Sequence, residues 1–378
     1  MLFELIRIAL GHQDRISRNL PTEEWLKVYQ AAVKQSVVGI CVEGMSKLPK
    51  EQKPPMELFL QWVGIVSQIQ QQNEKLDRQT AKLWKQLKDD GLDAVILKGQ
   101  GIAVECGRLA TFRQSGDIDI WVKGGYQTVC DYVQKTIPTD DLAYHRFHYH
   151  YFEYTEVELH HRPTLMRNLI DDRKLARWYE SFGADSFVYL ENKGFAVPSS
   201  EFNKIFLLTH IYRHFLFEGV GLRQVMDYYF VLINEKITDK NEMIKVREVL
   251  RDLRLTRFAG AVMWVIGFMV YGERFFDKRS SKADRMVGSV DRDWMICDPD
   301  EKEGRFLLNE ISLSGNFGHT DHRYQYKRLF KLQRMLSRGS HLLAHYPSEV
   351  IWSPIWIVYH WFWKRKRKRE IHKQWKLN

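Results

Sequence analysis

Between Met56 and Asp90, Leu58, Trp62, Ile65, Ile69, Leu76, Thr80, Leu83 and Leu87 recur at steps of three, four or seven. That spacing lays one apolar stripe along a long helix. An earlier helix is predicted near Glu23 to Leu48, after Pro21 and Thr22, and the three prolines between Lys47 and Pro55 mark a turn. After Gly91 the period shortens. Ala94 to Leu97, Asp117 to Val122, Tyr149 to Tyr154 and Val157 to His161 read as strands, with helical stretches at Gly101 to Leu109 and Tyr126 to Thr136. Helical spacing returns at Phe202 to Phe217, Leu222 to Ile233 and Glu242 to Tyr271, and the polar run Lys278 to Asp300 reads as a surface loop. The pattern predicts an α+β protein: a helical segment at 1–90, a small α/β core at 91–198 and a helical domain at 199–378.

Composition leaves that picture intact: of 378 residues, 44% are hydrophobic and 28% charged, the balance of a folded chain. Charge changes it more. The net charge is +10, but residues 364–378 hold eight Lys or Arg against one Glu, so the body is nearly neutral and a long nucleic-acid track is not expected. Cys41, Cys106, Cys130 and Cys297 form no close pair, and the first residues lack a secretory signal pattern. The expectation is a reduced, cytoplasmic protein with no disulfide-linked partner. The longest apolar stretches, Phe258 to Tyr271 and Val350 to Trp363, are too short to span a bilayer.

The candidate chemistry lies in the α/β core. The strand ending at Leu97 runs into Lys98-Gly99-Gln100-Gly101 and then a helix, an arrangement that can point backbone N–H groups at a phosphate or serve as a plain turn. The next strand begins Arg113-Gln114-Ser115-Gly116-Asp117-Ile118-Asp119. Side chains alternate, so Asp117 and Asp119 share a face about 7 Å apart along the strand, while Ile118, Ile120 and Val122 turn inward. In Glu156-Val157-Glu158-Leu159-His160, Glu158 and His160 share the face opposite Val157 and Leu159. Three acids beside a glycine turn suit a divalent metal and a triphosphate; a solvated acidic strand face is the alternative.

With these residues in view, Leu97-Lys98-Gly99, Arg113-x-x-Gly116-Asp117-Ile118-Asp119 and Val157-Glu158-Leu159-His160 resemble the motifs of the uncharacterised bacterial nucleotidyltransferases of family 5, in the polymerase-beta-like superfamily. The likeness extends through His210, His214, Arg223 and Asp227 to Gly315-Asn316-Phe317-Gly318. It implies a small nucleotidyltransferase sheet flanked by helices, with NTP as substrate, Mg²⁺ or Mn²⁺ as cofactor, and Asp117, Asp119 and Glu158 as both metal ligands and catalytic residues. Lys98, Gly99, Gln100, Gly101, Arg113, Ser115, Gly116, His160, His210 and His214 are the nucleotide-binding candidates. The superfamily usually has Gly-Ser at the turn; Gly99-Gln100 departs from it, which leaves the backbone amides and Lys98 to meet phosphate. The implied reaction is transfer of NMP to an acceptor hydroxyl on a small molecule, a protein or an RNA end, with release of pyrophosphate. A toxin-like transferase acting on tRNA and a catalytically silent adaptor are the alternatives.

Several of these residues also have plain structural readings. His210 and His214, four apart, suit a buried hydrogen-bonded role or a two-ligand metal arrangement as well. Arg113 suits a salt bridge, and Arg223 with Asp227 an intrahelical pair. At the chain end, Trp352, Trp356, Tyr359, Trp361, Phe362 and Trp363 precede six consecutive basic residues, which suits an anionic membrane surface, RNA, or simple packing on the body. The aromatic segment is expected to dock, with Lys364 onward projecting into solvent.

Overall fold

The computed structural model describes residues 1–234, 240–276, 293–316 and 339–376. Most of the polar run at 278–300, and Phe317 and Gly318 of the Gly-Asn-Phe-Gly stretch, lie outside the described residues. The chain divides into two compact units. One comprises Met1–Gln72, Glu105–Gln114 and Glu218–Arg323, the other Asn73–Val104, Ser115–Phe217 and Tyr324–Asn378.

The first unit is helical. Leu2–Leu10 (α1), Thr22–Lys34 (α2) and Val38–Lys47 (α3) precede α4, Met56–Asp89, which begins in this unit and ends in the other. The single early helix expected from the sequence is two, because Ser36 takes a left-handed φ of 55° between α2 and α3. The long helix expected at Glu242 to Tyr271 also breaks, at Arg254 with φ 59°, into Lys240–Asp252 and the almost wholly buried Thr256–Tyr271. Apolar periodicity alone does not register such a break, since the stripe resumes after it.

The second unit carries the sheet. Ala94–Ile96 (β1), Ile118–Val122 (β2), Arg146–His148 (β3) and Val157–His160 (β4) pair in the order β1-β2-β4-β3. β2 and β4 are parallel; the two outer pairings are antiparallel. The third strand lies at Arg146–His148, earlier than expected, and Tyr149 to Glu156 form the connection to β4. A separate hairpin pairs Phe187–Leu190 (β5) with Phe195–Pro198 (β6). The inward row, Ile118, Ile120, Val122, Phe147, Val157 and Leu159, packs with Leu76, Leu83 and Leu87 of α4 and with Val129 and Val133 of a helix at Gly125–Thr136. Each fully buried aliphatic side chain there contributes roughly 1.5–3 kcal/mol.

The opposite sheet face is also buried. Helices α5 (Gln100–Ala103), α6 (Gly125–Thr136), α7 (Leu169–Glu180) and α8 (Ser200–Phe217) follow along the chain, and Trp121 stacks on Phe202 of α8 at 5.4 Å between ring centroids. The last helix, Pro347–Trp375, docks in the same unit. Its Glu349 accepts from the backbone N–H of Arg167 and Asn168, Ile371 joins the core, and Lys368 pairs with Asp140 at 2.9 Å. The basic segment therefore does not simply project from Lys364 onward: it continues as helix, with one row of side chains laid on the body.

Candidate functional site

The parallel register aligns Asp119 of β2 with Glu158 of β4, so alternation sends both to the α8-covered face, with His160 one step along. The antiparallel register of β3 then sets Arg146 beside His160 and His148 beside Glu158. Asp117, just before β2, is about one-third exposed, whereas Asp119 is fully buried. Asp117, Asp119 and Glu158 thus share a face, as alternation predicts.

These carboxylates do not face one another bare. Lys98 Nζ lies 3.4 Å from Asp117 Oδ2 and 3.1 Å from Asp119 Oδ2. His160 Nε2 is 2.9 Å from Asp119 Oδ1 and 3.3 Å from Glu158 Oε2. Arg146 reaches Glu158 Oε1 at 3.0 Å. Burial alone would push the Glu158 carboxyl up, but the facing His160 ring and the charges of Lys98 and Arg146 hold it below the usual carboxylate range. Burial likewise pulls Lys98 and His160 down, and the facing carboxylates reverse it, holding both above their ordinary values. The cluster is an interleaved set of acids and bases with nearly every charge compensated.

Asp119, Glu158 and His160 each offer a ligand atom within 4.8 Å of the others. Asp119 Oδ2 and Glu158 Oε2 are buried, with ion-pair neighbours but no hydrogen bond of good geometry. Two carboxylate oxygens with one imidazole make a candidate divalent-cation site. His160, expected at the nucleotide, thus sits within the acidic cluster, and Asp117 is at its open edge through Lys98.

The glycine turn is shorter than the sequence suggests. Gly99 has φ 60° and precedes the single turn of α5; the chain then continues as 3₁₀ helix with a break at Gly107. A Cβ on Gly101 would lie 2.5 Å from the Ile96 carbonyl oxygen, so that position must be glycine for the turn to close on β1. Gln100 is buried and donates to the Asn73 carbonyl and to Asp77, which ties the turn to α4. Ser115 is buried and Gly116 exposed in the approach to Asp117.

Arg113 belongs to the helical unit, where its guanidinium fork donates to both Asp227 oxygens, Nε at 2.7 Å and Nη2 at 2.8 Å, with both residues buried. Asp227 is therefore not the intrahelical partner of Arg223, which donates to the Gln114 carbonyl. His210 and His214 are buried on α8 with their Nε2 atoms 3.1 Å apart, so one ring donates and the other accepts. Burial, followed by the charges of His214, Lys98 and Arg213, pushes His210 well below its ordinary value. That places it within electrostatic reach of the cluster. Arg146 was not singled out from the sequence; the signal was the Arg146-Phe147-His148 alternation, with the buried Phe147 fixing which face its neighbours take.

Comparison with known proteins bears on this arrangement. No curated protein matches the chain. A solved antigenic nucleotidyltransferase-like protein from Paracoccidioides brasiliensis aligns at 14% identity over 48% of this chain and 87% of its own, with a TM-score of 0.30, a likeness on which no argument rests. The family model described as uncharacterised nucleotidyltransferase matches residues 21–269, which takes in β1 to β4, the acid–base cluster and α8. By that match, and in line with the motifs around Lys98, Asp117 and Glu158, the chain belongs to this uncharacterised nucleotidyltransferase family.

Proposed function

We propose that the protein transfers an NMP from an NTP to an acceptor hydroxyl, with release of pyrophosphate, at the cluster on the α8-covered sheet face. The observation that carries this reading is the alignment of Asp119 with Glu158 across the parallel pairing, with Lys98 against Asp117 and Asp119. Asp117, Asp119 and Glu158 are the residues that would hold Mg²⁺ or Mn²⁺, with His160 as a further ligand or as the group that orients Asp119 and Glu158. When bound, the cation would neutralise phosphate charge and activate the attacking oxygen.

The chain's own residues divide the remaining work. Lys98, at the open edge with Asp117, is the ammonium that meets the triphosphate, while the Gly99 turn lets the backbone approach it. Arg146 and His160 fix the Glu158 carboxylate in place as a ligand. The His210–His214 pair, with Nε2 atoms 3.1 Å apart, lies within electrostatic reach of Lys98 and can offer a hydrogen bond to the bound nucleotide. Gln100 and Arg113 have committed partners and support the fold in this account. Incubating the protein with each α-labelled NTP, Mg²⁺ and cell extract, then separating RNA, protein and small molecules, tests the reading. Label should appear in one fraction and vanish with Asp119→Asn; RNA labelling would select the tRNA-directed alternative, and no transfer from any NTP would contradict the proposal.

A further inference from the structure

The last helix has two faces with different occupants. Glu349, Ser353, Trp356, His360, Trp363, Arg367 and Ile371 follow helical spacing on the side laid against the sheet unit, where Ser353 and Ile371 are buried and Trp363 packs on Tyr126 and His161. Arg167 stacks over Trp356 from the body. The opposite side runs Ile351, Ile355, Val358 and Phe362, then Arg365, Arg369 and Lys373, at steps of three or four. Every one of these seven is exposed, Ile351 at 60%, Val358 at 57% and Phe362 at 62%. Trp361 flanks the row at 53% exposure.

Isolated exposed apolar residues are ordinary, but a helical row of four that continues into a basic row is not. We propose that this outer face lies on an anionic membrane surface, with the apolar turns sunk to the headgroup boundary and the basic turns against the lipid phosphates and carboxylates. Three observations favour a bilayer over other occupants. The two chemistries follow one another along a single face, as an interface-lying helix requires. A nucleic-acid backbone would complement the arginines and leave the Ile and Val row in water. The charge is of one sign, so a second copy of the same face would repel it. Glu349, Ile371 and Lys368 anchor the helix from the inner side, so the outer face is presented as a preformed surface. No helix among the described residues is long and apolar enough to cross a membrane, so the contact would be peripheral.

Sedimentation of the full chain with phosphatidylcholine vesicles, with and without phosphatidylserine, tests this at low and high salt. Binding should require phosphatidylserine and fall steeply with salt. Arg365→Gln with Arg369→Gln should weaken it about 30-fold, since each basic residue near an anionic surface contributes about 1 kcal/mol. Val358→Ser with Phe362→Ser should weaken it roughly tenfold or more through lost apolar burial. All four positions are exposed, so thermal unfolding should stay near that of the native chain. No pelleting, equal pelleting with neutral vesicles, or full retention by both variants would overturn the proposal. So would lipid-independent self-association abolished by the serine pair, or RNA binding lost with the arginine pair while vesicles are ignored.

Discussion

Truncating Lys98 to alanine should move two affinities in opposite directions. Its ammonium lies 3.1 Å from Asp119 and 3.4 Å from Asp117, where a divalent cation would have to contact the same oxygens. At an effective dielectric constant of about 20, each of those contacts amounts to about 5 kcal/mol before desolvation. Desolvation of the buried ammonium and water around the partly exposed Asp117 offset most of it. If even 1.4 to 3 kcal/mol of competition survives, Lys98→Ala should bind Mn²⁺ about ten- to a hundredfold more tightly without nucleotide. The same variant loses a charge-assisted contact to the triphosphate of about 1.5–3 kcal/mol, so NTP affinity at saturating Mg²⁺ should fall by a similar factor. Mn²⁺ titration followed by electron paramagnetic resonance reads the first effect and calorimetry the second. Unchanged Mn²⁺ affinity would show that the ammonium does not compete for the carboxylates, and both affinities falling together would show that Lys98 holds the site in shape.

Asp119→Ala should cost about 1.5–3 kcal/mol in urea unfolding, because it removes the buried carboxylate that Lys98 and His160 share and leaves them only Asp117 and Glu158; repulsion between bare carboxylates would predict the reverse, and Asp119→Asn should lose less. Arg113→Ala should destabilise by about 3–5 kcal/mol by leaving Asp227 buried and unpaired, with NTP affinity unchanged; lost NTP affinity at full stability would return Arg113 to the phosphates. Burial raises Glu349 to about 7 against the backbone N–H groups of Arg167 and Asn168. The folded state then holds its proton longer than the unfolded chain, so stability should decline as pH rises from 4.5 through about 7, by about 3 kcal/mol in all. Glu349→Gln should flatten that decline, and an unchanged pH profile would contradict the burial argument.

Much of the site was legible because a strand's period of two assigns faces without any tertiary knowledge. Asp117, Asp119, Glu158 and His160 fell on one face by alternation, and the parallel pairing of β2 with β4 put them side by side. What alternation does not give is compensation. Arg146 lies on a strand that the sequence placed a few residues later, so the cation against Glu158 was missed. Arg113 and Asp227 are 114 residues apart, and the nearer Arg223 offered a simpler partner for Asp227. Helix interruptions at Ser36 and Arg254 were also silent, since a single left-handed residue interrupts a helix without disturbing its apolar stripe. The last helix was legible in composition but not in orientation: which aromatics face the body is settled by partners such as Tyr126 and Tyr144, far away in sequence.

In the proposed function, Asp117, Asp119 and Glu158 form one metal-dependent NTP site with Lys98. Calorimetric titration of each NTP into the native chain, with Mg²⁺ and with chelator, tests it most directly, alongside Asp119→Asn. Binding of at least one NTP that requires Mg²⁺ and is lost in Asp119→Asn, while that variant remains folded, is the predicted result. NTP binding that persists in chelator, or that Asp119→Asn leaves intact, would contradict the account.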